Sequence, residues 1–155
     1  MKEILENFDE RFINLLKRIS TPFARISIFI VFFWFGILKI IGTSPANPLV
    51  QSLMEATLPF MTWNTFIILF SIYEMLIGIS FLIPRFERFA IALLIPHMIM
   101  TILPLIFLSS ITWQGFLTPT LEGQYIIKNL AIIALAMGIA AHLHPLRQKE
   151  DAGSL

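Results

Sequence analysis

Four stretches of the chain, 22–41, 64–83, 89–108 and 124–142, are almost wholly apolar, and each is broken from the next by prolines, glycines or charges. About twenty helical residues at 1.5 Å each span roughly 30 Å, the depth of one hydrocarbon core. The pattern predicts an all-α protein, a bundle of four antiparallel transmembrane helices. The first twenty residues follow a different rule. Ile4, Leu5, Phe8, Phe12, Leu15, Leu16 and Ile19 fall on one side of a 3.6-residue helix, with Ile13 the exception, and Lys17 and Arg18 close its last turn. This is the pattern of an amphipathic helix lying on a membrane surface. A helix packed on a partner protein is the other reading of the same stripe. Glu3, Glu6, Asp9 and Glu10 are out of place in a signal peptide.

Local signals set the expected boundaries. Three parts follow: an interfacial helix over 1–20, the membrane domain over 21–145, and a polar tail over 146–155. Pro22 suits a first helical turn, and Gly42 ends the run. Asn47-Pro48 is a cap followed by a proline, which predicts a short helix from Pro48 to about Ala56, closed by Pro59. The whole 43–63 segment is too apolar for water and is expected to fold over the mouth of the bundle. Pro84 to Arg88 is a short link, so the second and third spans form a hairpin. Pro96 and Pro104 predict a kink in the third span. Trp63, Trp113 and Tyr125 read as interfacial anchors. Ala131, Ala134, Gly138 and Ala141 give the fourth span a small-residue face suited to close helix packing.

Composition agrees with a bilayer as solvent. Residues are 57% hydrophobic and mean hydropathy is +0.81. Only 14% are charged, against about 25% in a soluble domain. The absence of cysteine excludes disulfides, thiol relays, iron–sulfur clusters and covalently attached haem within this chain. Any redox role would rest on a bound cofactor such as a quinone, or on a partner. Nothing calls for nucleic acid. The net charge of +1 says little, but its distribution says more. Lys2, Arg11, Lys17, Arg18 and Arg25 precede or open the first span, Arg85 and Arg88 join the second to the third, and Arg147 and Lys149 follow the fourth. The other two loops hold no lysine or arginine. The positive-inside rule then expects both termini in the cytoplasm.

Lys39 and Lys128 are the two basic residues left over. Each lies about one turn below the outer end of its span. Snorkelling to the interface is one account of them. The other is a polar site. Glu74, near the middle of the second span, has no route to water and must be protonated or paired; pairing with Lys39 or Lys128 is the expectation. His97 lies at similar depth in the third span, followed one turn later by Thr101. Gly36, Ser71 and Gly78 share faces with these residues, and Glu122 or Glu55 could join from the outer loops. One glutamate facing two lysines would leave a positive charge for a quinone oxygen or a small oxyanion. His97 alone reads better as a histidine bonded to a neighbour than as a ligand. No cluster has metal-site spacing.

These residues sit in segments that resemble the DoxX-like membrane proteins, and more narrowly the family containing the reactive-chlorine-resistance inner-membrane protein. The segments are Arg25-Ile26-Ser27 running into Phe33-Trp34-Phe35-Gly36-Ile37-Leu38-Lys39, Ser44-Pro45 with Pro48-Leu49, Glu74-Met75-Leu76-Ile77-Gly78, Thr101 to Pro104, and Gly123-Gln124-Tyr125-Ile126-Ile127-Lys128-Asn129-Leu130. The resemblance implies a four-helix bundle in a bacterial inner membrane, serving as an accessory to quinone-linked, respiratory or stress-response redox systems, or as an assembly factor. Its partners would be the bilayer and a redox protein or a second copy. A scaffold without chemistry, and a proton-coupled carrier of a small anion using Glu74, are the competing functions.

Overall fold

The structure, a computed structural model, describes residues 2–143. The polar tail, with Arg147 and Lys149, and His144 lie outside the described residues. Nine short or long elements follow one another: α1 (Lys2–Ile40), α2 (Asn47–Thr57), α3 (Trp63–Leu82), α4 (Glu87–Ile102), α5 (Pro104–Phe107), α6 (Ser109–Thr112), β1 (Trp113–Gly115), β2 (Thr118–Pro119) and α7 (Leu121–Ala140). Four helical stretches are long and apolar enough to cross a membrane: Ile4–Ile40, Trp63–Leu82, Glu87–Phe107 and Leu121–Ala140. They pack together in a ring, α1 on α3, α3 on α4, α4 on α7 and α7 back on α1. The protein is therefore a polytopic, integral membrane protein in architecture.

The first helix departs from expectation. No helix boundary falls at Pro22: the backbone runs through it as one helix of 39 residues, roughly 58 Å long at 1.5 Å per residue. Proline removes one helical hydrogen bond but does not forbid the helix from continuing. Gly42, with φ of 75°, then turns the chain, and the amides of Thr43 and Ser44 both bond the Leu38 carbonyl at 3.0 and 3.1 Å. A left-handed residue at this point is the usual way to satisfy the last carbonyls of a helix. In the third span the two prolines act differently. Pro96 is carried inside α4, whereas Pro104 opens the separate turn α5, its missing amide being an orphan there in any case.

One buried core joins all four long helices: Ile28 and Phe32 of α1, Ile77 and Phe81 of α3, Leu94 and Met98 of α4, and Ile139 of α7. A second cluster, Met54 with Phe66 and Phe70, seats α2 over one end of the bundle. On the same end α6 and the β1–β2 hairpin replace the plain loop expected over 109–124; Trp113 donates its indole N–H to the Leu105 carbonyl at 3.0 Å. Among the described residues the helices are thus accompanied by one small two-stranded sheet.

The tightest seam is between α1 and α3. A Cβ built on Gly36 would stand 2.7 Å from Met75 Cγ and 2.9 Å from the Ser71 carbonyl oxygen, and one on Gly78 would meet Phe33 N at 3.1 Å and Phe29 O at 3.2 Å. Each helix contributes one glycine to the other's backbone, the arrangement that lets membrane helices approach closely. The small-residue face of α7 does not behave this way. Ala131, Ala134, Gly138 and Ala141 are all exposed, and a Cβ on Gly138 meets nothing within 4 Å. The face expected to pack closely points away from the bundle, because α7 is rotated to bury Ile126, Ala136 and Ile139 instead.

Candidate functional site

The α1–α3 seam sets the polar site. Gly36 lies one turn before Lys39 on α1, and Gly78 one turn after Glu74 on α3. Close approach at the glycines leaves the lysine stem no way round the carboxylate. Lys39 Nζ bonds both oxygens of Glu74, at 2.7 and 2.9 Å. His97, brought in by α4, places Nε2 3.1 Å from Glu74 Oε1. Three helices thus meet at one carboxylate, and all three side chains are nearly fully buried, at 6%, 5% and 3% exposure. Charges at this depth need partners, since each alone would be strongly penalised by the surrounding hydrocarbon.

Aromatic rings form the walls. Phe70 stacks on the His97 imidazole at 5.3 Å, and Phe32 meets it edge-on at 5.1 Å. The Lys39 ammonium stands 5.7 Å from the Phe70 centroid, within cation–π range. Tyr73 approaches His97 at 6.0 Å, and its hydroxyl donates to the Leu93 carbonyl at 2.5 Å. Toward an ionised carboxylate, which only accepts, Nε2 is the donor. Nδ1 is buried and has no hydrogen-bond partner among the described residues.

The remaining candidates are placed elsewhere. Lys128 is exposed on α7; its ammonium lies 4.9 Å from the centroid of the Tyr125 ring, one turn away, and makes no ion pair among the described residues. Glu74 therefore faces one lysine, and no surplus positive charge builds up beside it. Thr101 bonds the Met98 carbonyl at 2.9 Å and Ser71 the Ile67 carbonyl at 2.6 Å, each satisfied within its own helix. Glu122 is exposed in the first turn of α7, where a negative charge complements the helix dipole. Glu55 accepts from Gln51 at 2.9 Å on the surface of α2. No group of three or more metal-ligating side chains forms among the described residues.

Two features escape a reading of the sequence. The aromatic walls are one: Phe70 lies one turn before Glu74, and Phe32 two turns before Lys39, so helical spacing carried the signal, but it is hidden among fifteen phenylalanines. The other is a second ion pair. Arg25 of α1 donates through Nη2 to Glu87 at the start of α4, and Glu87 is buried while the arginine is partly exposed. Both residues look like ordinary loop charges in a topology map.

Two apolar crevices run along the α4–α7 seam. The larger, about 310 Å³, is lined by residues such as Leu94, Met98, Ile133 and Ala136, and the smaller, about 130 Å³, by Ile102, Leu105, Ile126 and Asn129 among others. They share Ile102 and Ile133, and neither is lined by Lys39, Glu74 or His97. No family model, curated protein or solved structure matches this chain.

Proposed function

We propose that the protein is a DoxX-like accessory component of a membrane redox or oxidative-stress system, acting as a scaffold or assembly partner and not through a reaction of its own. The observation that carries the scaffold role is the closure of the triad. Both Glu74 oxygens are held by Lys39 and one also by His97, so the carboxylate is engaged from both neighbouring helices. An anion carrier needs a spare positive charge at the site, and Lys128, exposed on α7, supplies none there. The redox context rests on the resemblance of the helix motifs alone. By the same token the membrane is the bacterial inner membrane, with both termini on the cytoplasmic side, as the basic residues direct.

One observation favours a second reading. His97 Nδ1 is buried with no hydrogen-bond partner among the described residues, beside a stack of aromatic rings. An oxygen of a quinone or quinol, or another small polar group, could bond there. Purification in mild detergent, followed by identification of what co-purifies, separates the two. A stoichiometric membrane protein retained by wild type and lost on Glu74→Gln supports the scaffold. A quinone retained by wild type and lost on His97→Phe, at unchanged stability, replaces it with the ligand site.

A further inference from the structure

The most prominent unexplained feature is the first half of α1. Every described side chain from 4 to 20 is exposed, including Leu5, Phe8, Phe12, Leu15 and Ile19. These five follow one another at steps of three and four residues, keeping pace with the 3.6-residue turn. The series does not stop at Pro22. Phe23, Ile26, Ile30, Trp34 and Ile37 continue it at the same steps, and these are the exposed, bilayer-facing side chains of the same helix within the bundle. The apolar stripe of residues 2–20 is therefore a direct prolongation of the lipid-facing stripe of the span.

Length makes this consequential. About twenty residues of α1 fill a hydrocarbon core of roughly 30 Å, and the rest of the 39-residue helix extends beyond it. Left upright, that surplus would hold its whole stripe in water. Bending outward, away from the bundle, turns a face that pointed sideways into lipid so that it points down onto the membrane surface, with no rotation about the helix axis. The place for the bend is also marked. Pro22 cannot donate to the Arg18 carbonyl, which makes the helix weakest there. Three residues later Arg25 is clamped to Glu87 of α4, so the bundle side of that point is held, while on the other side the described side chains from 4 to 20 are exposed.

We infer that residues 2–20 are a hinged interfacial anchor, bent from the bundle at Pro22 and laid on the membrane surface with lipid covering the stripe. The chemistry of that surface follows from charge. Lys2, Arg11, Lys17 and Arg18 are balanced by Glu3, Glu6, Asp9 and Glu10, so the arm adheres by apolar burial and does not depend on anionic headgroups. Its attachment is nearly insensitive to salt, unlike that of a polybasic segment.

The absence of cysteine makes the test direct. The full chain is reconstituted in phosphatidylcholine vesicles with one environment-sensitive fluorophore, on Phe12→Cys in the stripe or on Glu10→Cys on the opposite side of the helix. The label at 12 is expected to be quenched several-fold more by a lipid-borne quencher than by aqueous iodide, and the label at 10 to show the reverse, at low and high salt alike. Adding Pro22→Ala is expected to reduce the lipid quenching at 12 by stiffening the bend. Equal iodide quenching at both positions would mean an arm standing in water and would overturn the inference. Shielding of the label at 12 from both quenchers, with the unlabelled Phe12→Cys protein forming a disulfide between two copies in a parallel sample, would overturn it in favour of a dimer interface.

Discussion

The α1–α3 seam and the α4–α7 seam are built from similar apolar residues and behave differently. The first brings backbones into contact at Gly36 and Gly78 and buries a lysine, a glutamate and a histidine beside them. The second leaves crevices of about 310 and 130 Å³ and carries no ion pair among the described residues. A small residue therefore tightens a membrane bundle only where it meets another backbone. Gly36 does so, and Gly138, with as little side chain, faces away from the protein. The polar triad adds directionality that packing between apolar helices lacks, because lipid tails compete equally well for an apolar surface.

The contrast can be broken most severely at the carboxylate. Glu74→Leu strands the buried Lys39 ammonium beside the Phe70 ring, and loss of one partner of a buried pair costs about 3–5 kcal/mol. The melting temperature in detergent should fall sharply, and the double variant Lys39→Met with Glu74→Leu should recover much of the loss. A single variant with wild-type melting would remove the triad as the fastening of this seam. Next in size is Gly36→Ala. The added methyl meets Met75 Cγ and, less yieldingly, the Ser71 carbonyl, and overpacking of this kind costs about 1–3 kcal/mol. The same measurement should show Gly78→Ala as milder, since its contacts begin at 3.1 Å instead of 2.7 Å.

Arg25→Ala should destabilise less than Glu74→Leu, although it too leaves a buried partner, Glu87. The side chain of Arg25 is 21% exposed, so water can reach the carboxylate when the arginine is gone. Equal losses in thermal unfolding would show that the edge pair matters as much as the central triad. The smallest effect is expected at Gly138→Ala. Nothing stands within 4 Å of the new methyl, and replacing a helical glycine by alanine is worth about 0.5–1 kcal/mol in favour of the helix. A marked loss of stability there would reveal a partner on the outer face of α7.

Much of the site could be read from the chain. Hydropathy located the spans, and residue counting put Lys39, Glu74 and His97 at compatible depths. Depth, however, is one coordinate of two. The same counting placed Lys128 as close to Glu74 as Lys39, and only the rotation of α7 about its own axis separates them. That rotation is not written in α7, whose apolar residues occur all round the helix. It is chosen when Ile126, Ala136 and Ile139 find the core, which leaves Ala131, Ala134 and Gly138 outside. The Arg25–Glu87 pair was hidden for a related reason. Its members are 62 positions apart, and each looks like a topology charge until the hairpin brings them together.

By itself, then, the sequence determined the number and order of the apolar helices and which polar side chains lie at matching levels along them, because bilayer thickness and helical rise convert residue count into position. Tertiary structure alone decided which faces meet, which lysine reaches Glu74, and that Pro22 lies within one continuous helix. Those outcomes depend on packing between helices, where surfaces of nearly equal apolarity are told apart only by shape and by a few buried charges.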